Sequence, residues 1–207
     1  MLVEVAEGRG VMTDDARDEF VERARRGDRE AFAPLVAEQL PRVWKLAWRI
    51  VRDPADAEDV VQEVFLTAWQ GLAGYRGECS FSTWIHRIAV TRALNHVDRS
   101  SEKLRRASRS IDAAPPGEPD GEPPASRLPG RGPSPLEALE AKELLRRLAG
   151  CFSKLPGGWR AVVALRDGES MAYEEIAKVL DVALGTVRSR LARARFALKA
   201  CMEGAVP

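Results

Sequence analysis

Residues that carry chemistry are scarce in this chain of 207 residues. It has two histidines and three cysteines, Cys79, Cys151 and Cys201, which lie far apart and form no C-x-x-C pair. An odd, scattered set fits reduced thiols in a cytoplasm better than a disulfide framework, and no metal site is expected. A thiol sensor or a metal site adding His86 or His96 is the alternative. No P-loop, G-x-G-x-x-G or H-E-x-x-H motif occurs, and the carboxylates gather on one predicted helix instead of pairing across a cleft. Neither catalysis nor a bound cofactor is expected. No apolar run approaches the length of a membrane span, and Met1 to Met12 lacks a signal-peptide core, so neither membrane insertion nor export is expected. Strand patterns are missing throughout. A net charge of only +1 gives no global attraction to nucleic acid.

What is present is a soluble, globular composition, 45% hydrophobic and 30% charged, long enough for one or two domains with their own cores. Charge is segregated locally. Asp53 to Glu63 holds five acids and no base, whereas Arg87 to Arg109 holds seven bases and two acids. Such blocks suit a basic protein partner on one face and DNA on another.

The chain divides at a proline-rich stretch. Ile111 to Pro135 contains eight prolines and four glycines in 25 residues, without apolar periodicity. Residues 1–14 read as a loose tail, 15–106 as a first helical domain, 107–135 as a flexible linker and 136–207 as a second helical domain. The linker's r.m.s. span would be roughly 30 Å and its full extension about 95 Å. In the first domain, Thr13 or Asp14 caps a helix that Gly27 ends, and Asp28 caps another that Pro41 interrupts. Val43 to Val51 forms a separate apolar segment. Asp53-Pro54 starts a helix running to about Gln70, with Val60, Val61, Val64 and Ala68 inward and Asp56, Asp59, Gln62 and Glu63 on its other side. After a glycine-punctuated loop, a long helix begins near Ser80 or Ser82. One stripe of it carries Trp84, Arg87, Thr91 and Asn95, a turn apart each. An aromatic, a cation and two small polar side chains suit unstacked bases; the competing reading makes Trp84 a core residue and the others a solvated face.

In the second domain, Ser134-Pro-Leu-Glu137 is a capping box, Leu155-Pro156 opens a helix stopped by Gly168, and Ser170 can cap the next. Ile176, Ala177, Val179 and Leu180 give one helix an apolar side. After a break at Asp181 to Leu184, Val187, Leu191, Ala194 and Leu198 face it from a second helix. This is a helix-turn-helix, whose second helix can enter the DNA major groove. Between Thr186 and Lys199 stand five cations and no acid. A solvated helix usually mixes signs for i,i+4 pairing, so the unmixed face points to a polyanion.

Three motifs together resemble the extracytoplasmic-function (ECF) sigma factors of the sigma-70 family. They are Asp56-Ala-Glu-Asp-Val-Val-Gln-Glu-Val-Phe-Leu-Thr-Ala-Trp69, Phe81-Ser-Thr-Trp-Ile-His-Arg-Ile-Ala-Val-Thr-Arg-Ala-Leu-Asn95, and Tyr173-Glu-Glu-Ile-Ala with Gly185-Thr-Val-Arg-Ser-Arg-Leu-Ala-Arg-Ala-Arg195. The resemblance implies an all-α fold of two small helical domains, sigma regions 2 and 4, joined by the linker. It also implies a subunit that binds core RNA polymerase and directs promoter-specific initiation, with promoter DNA and an anti-sigma factor as further partners. Asp56, Asp59, Gln62 and Glu63 would dock on the polymerase clamp helices. Tyr75, Arg76, Trp84, Arg87, Thr91 and Asn95 would handle the minus-10 element, the loop Tyr75 to Ser80 taking a flipped base. Thr186, Arg188, Ser189, Arg190, Arg193 and Arg195 would contact the minus-35 element. His86 stands where the family commonly has an aromatic, Thr91 where it commonly has asparagine and Ala192 where a larger side chain often reaches DNA. The linker is long for the group. A free-standing helix-turn-helix regulator binding an operator is the alternative function; it would need neither the acidic helix nor the aromatic-polar stripe.

Overall fold

Every regular element in the described residues, 12–107 and 135–204 of a computed structural model, is helical. The first four helices are α1 (Asp14–Arg25), α2 (Arg29–Val51), α3 (Pro54–Gly71) and α4 (Phe81–Ala107). The Thr13 side chain caps α1 and Gly27, at φ +93°, ends its turn; the Asp28 carboxylate accepts from the Glu30 and Ala31 amides to start α2. Asp53 accepts from the Asp56 amide with Pro54 at the first helical position of α3, as expected from the sequence.

Two local expectations fail in this half. Pro41 does not interrupt a helix: α2 runs unbroken through Pro34 and Pro41 to Val51, so the apolar segment from Val43 is its second half. An interior proline costs about 3 kcal/mol. Full burial of Leu35, Val43, Leu46 and Ile50 on one face contributes about 1.5–3 kcal/mol each and outweighs two of them. α2 is the central element, packed on α1, α3 and α4.

The second half contains α5 (Pro135–Ser153), α6 (Gly157–Val163) with a π-helical turn at Ala164–Gly168, α7 (Tyr173–Leu180) and α8 (Leu184–Met202). Ile176, Val179, Val187, Leu191 and Ala194 are all buried where α7 meets α8, so the helix-turn-helix periodicity is borne out. Ser170 is not the cap of α7. It lies in the left-handed region at φ +56°, and the Glu175 side chain closes the helix start by accepting from the Ala172 amide at 2.9 Å. The expected capping residue Ser134, most of the linker and the tail before Met12 lie outside the described residues.

The cysteine expectation is also corrected. Cys151, in the last turn of α5, is disulfide-bonded to Cys201 in the last turn of α8, with Cα atoms 5.8 Å apart; Cys79 is free. Fifty residues separate the pair in sequence, but the two helix ends are neighbours, a proximity that spacing alone does not reveal.

The two halves share one apolar core. Gly157 at the start of α6 sits against Leu94 and Val97 of α4. Arg49 of α2 pairs with Glu169 at 3.3 Å, and a Cβ at Gly168 would collide with its guanidinium.

Candidate nucleic-acid interface

Along α4 the predicted stripe is real, with one qualification. Arg87, Thr91 and Asn95 are exposed one turn apart, while Trp84 is half-buried. Its ring lies 5.1 Å from Tyr75 and 5.9 Å from Phe81, giving an aromatic cluster at the end of the polar row. Trp84 therefore serves packing and surface at once. The Thr91 hydroxyl donates to the Arg87 carbonyl at 2.8 Å, which leaves its oxygen lone pairs outward. Tyr75 pins the following loop by donating to the Cys79 carbonyl at 2.5 Å. Burial pushes the Tyr75 hydroxyl above its ordinary range, so it remains a donor at neutral pH. Arg76 is exposed in the same loop.

On α3, Asp59 and Gln62 are exposed as predicted, but the acids beside them are partly engaged. Asp56 lies 3.1 Å from His96 Nε2. Glu63 lies 3.9 Å from Arg92 and 3.8 Å from Arg99. The acidic face of α3 thus borders the basic end of α4, an adjacency that the separate charge blocks did not disclose.

On α8, Val187, Leu191 and Ala194 face inward, so Arg188, Ser189, Ala192 and Arg193 face out. Ser189 donates to the Thr186 carbonyl at 3.1 Å, and Thr186 is half-buried. Arg190 and Arg195 lean back on the body. Arg190 covers Gly158, and Arg195 pairs with Asp167 at 2.8 Å. Arg188 and Arg193 are exposed five residues apart on α8. Among the described residues, no group of three or more histidine, cysteine or carboxylate side chains is placed to hold a metal ion.

Residues 35–103 match the sequence model for sigma-70 region 2, and residues 145–198 match that for sigma-70 region 4. The RNA polymerase sigma-H factor of Pseudomonas aeruginosa is 32% identical over 93% of this chain and 97% of its own length. The ECF RNA polymerase sigma-E factor of Escherichia coli K12 is 34% identical over 90% of this chain and 95% of its own. The chain belongs to the ECF sigma factors of the sigma-70 family. Among solved structures, CnrH in complex with the cytosolic domain of CnrY matches with TM-score 0.59 and 26% identity, over 93% of this chain and 100% of that one. The sigma factor RpoE of Bartonella quintana, in complex with the anti-sigma factor NepR, supports the fold at TM-score 0.60 and 19% identity, over 83% of this chain and 96% of that one. This sigma factor accordingly acts with RNA polymerase in promoter-directed initiation, a DNA-recognition role. A free-standing operator binder would not carry region 2 across residues 35–103. Among the described residues, no helix is long and apolar enough to cross a membrane.

Proposed function

We propose that residues 15–106 act as region 2, binding core polymerase and the minus-10 element, that 107–135 is the flexible linker, and that 136–207 acts as region 4 on the minus-35 element. Asp59 and Gln62, flanked by Asp56 and Glu63, form the polymerase-docking face. Tyr75, Arg76, Trp84, Arg87, Thr91 and Asn95 receive the melted minus-10 strand, and α8 reads minus-35. The chain performs no chemistry of its own, works in the cytoplasm and is held in check by an anti-sigma factor, as the Bartonella structure suggests for this group. The observation that carries the reading is the open row Arg87, Thr91 and Asn95 ending on the Tyr75–Trp84 rings.

The test is Trp84→Ala in the holoenzyme. Loss of one base-stacking contact is worth roughly 1–3 kcal/mol, so open-complex formation should fall about 5- to 150-fold, while initial promoter binding changes little. Permanganate reactivity of melted thymines reports it, and Trp84→Phe should restore most of the signal. A Trp84→Ala variant that melts promoters normally but unfolds at lower temperature would reduce Trp84 to a packing residue.

On α8, we assign base reading and backbone contact to different arginines. Arg193 is exposed, and an arginine engaging guanine through two bonds gives about 1–3 kcal/mol of discrimination. Arg193→Ala should therefore relax minus-35 preference in randomised libraries. Arg195, which pairs with Asp167 in the free chain, is assigned a phosphate contact. Arg195→Ala should weaken all sequences alike and reduce the salt slope by about 0.9. Identical sequence preferences for wild type and Arg193→Ala would refute the assignment.

A further inference from the structure

Two arginines at the seam between region 2 and region 4 have no anion beside them among the described residues. Arg52 ends α2 in the left-handed region at φ +70°, a position that glycine or asparagine fills at less cost. Its guanidinium lies over the Trp48 ring at 4.5 Å, with the Phe152 ring of α5 at 5.9 Å. One terminal nitrogen donates to the Ala149 carbonyl at 3.5 Å, a long bond, and Nε is buried without a partner. Arg160 of α6 is only 7% exposed. Among the described residues no hydrogen bond or ion pair engages its side chain, and its Nε is buried. Burial pulls both guanidinium groups below their ordinary pKa, and the charge of Arg52 lowers Arg160 further. The two cations therefore act on each other where α2 packs on α6. Elsewhere the fold supplies such groups with a carboxylate: Glu38 pairs with Arg17, and Glu169 with Arg49.

We propose that Arg52 and Arg160 form an oxyanion site at this seam, and that its ligand is a phosphate group, either free or carried by a small metabolite. Desolvated charge without a counter-ion is costly, and two like charges side by side add to the cost. An anion between them removes both penalties. Guanidinium is the side chain suited to this, because its planar fork donates two parallel bonds to one oxyanion. A carboxylate presents one edge to a fork, whereas a phosphate presents several, so both forks can engage it. The terminal nitrogens of Arg160 are not among the fully buried atoms, and a small ligand can reach them from solvent. Trp48 and Phe152 wall the site with apolar surface, which strengthens each charged hydrogen bond. Arg52 belongs to region 2 and Arg160 to region 4, so a bound phosphate ties one region to the other. It favours the packed arrangement over a separated one. None of the residues assigned to DNA takes part.

Inorganic phosphate, glycerol phosphate and acetate are the probes, each added to the full chain at constant ionic strength while thermal unfolding is followed. For a dissociation constant on the order of 1 mM, inorganic phosphate in about tenfold excess over that value should raise the melting midpoint by about 3–6 °C. Arg52→Gln should lose most of this increment. Arg160→Lys keeps the charge but not the fork, and it should lose most of the increment too. The increment is the readout and not the midpoint itself, so any packing lost at Trp48 drops out. Should Arg160→Lys fail to fold, the half-buried Arg52 decides alone. Lys154→Gln removes an exposed cation two residues beyond Phe152 and should keep the full increment. Exclusion of phosphate from protein surfaces also stabilises slightly, and that component survives in every variant. An increment with both phosphates upholds a site open to a phosphorylated metabolite, and one with inorganic phosphate alone upholds a site for the free ion. Equal increments in wild type and Arg52→Gln overturn the site, as does an acetate increment equal to that of phosphate.

Discussion

Asp59→Arg combined with Glu63→Arg is expected to lower affinity for core polymerase roughly a hundredfold or more, because like charges brought together at a complementary interface cost several kcal/mol. Asp59 carries the cleaner part of the effect. It is exposed on α3, and among the described residues no ion pair engages it. Glu63 is shared with Arg92 and Arg99, so its reversal also sets three guanidinium groups together within the chain. Exposed pairs at this distance contribute at most about 1 kcal/mol, and the inward residues Val60, Val61 and Val64 are untouched. Helix content should therefore survive, and binding of minus-35 duplex DNA, proposed for α8, should be unaffected. Competition with a housekeeping sigma factor for core polymerase measures the loss. Undiminished competition by the variant would remove α3 as the docking face.

The parts of this arrangement that were legible in the sequence are those set by neighbours a few residues apart. Asp53-Pro54 announces the start of α3 because cap and fixed φ act locally, and Val187, Leu191 and Ala194 announce a buried side because a helix repeats every 3.6 residues. Pro41 misled for the complementary reason. Its local penalty is real, but the burial of Val43, Leu46 and Ile50 beyond it depends on helices that arrive from elsewhere in the chain. The same holds for the site. The exposed row of α4 could be read from spacing, whereas the ring cluster beside Trp84 requires a loop residue, Tyr75, to fold back. Pairing of Arg49 with Glu169 spans 120 residues and that of Arg195 with Asp167 spans 28, and no periodicity encodes either. The exposed Arg42 and Lys45 of α2 and the paired Arg49 and Arg195 looked alike in sequence and differ through their surroundings in the fold.

Removal of the Cys151–Cys201 bond should produce the largest change in stability. Chain-entropy arguments assign roughly 4 kcal/mol to a cross-link closing a loop of this length, and native bonds typically contribute about 2–4 kcal/mol. α5 has few other attachments in the described residues. Leu139, Leu144, Leu145 and Leu148 are all exposed, while Arg147 donates to the Met202 carbonyl at 2.8 Å. The α5–α8 contact therefore depends on the bond to an unusual degree. Cys201→Ser should lower the melting temperature by roughly 2–4 °C for each kcal/mol lost in a chain of this size. Reductant should move wild type to the same midpoint and leave the variant where it is. The buried Ile176, Val187 and Leu191 do not touch this equilibrium, so α7 and α8 should keep their helical signal while α5 loosens. Equal midpoints for oxidised wild type, reduced wild type and Cys201→Ser would mean that packing alone holds α5 on α8.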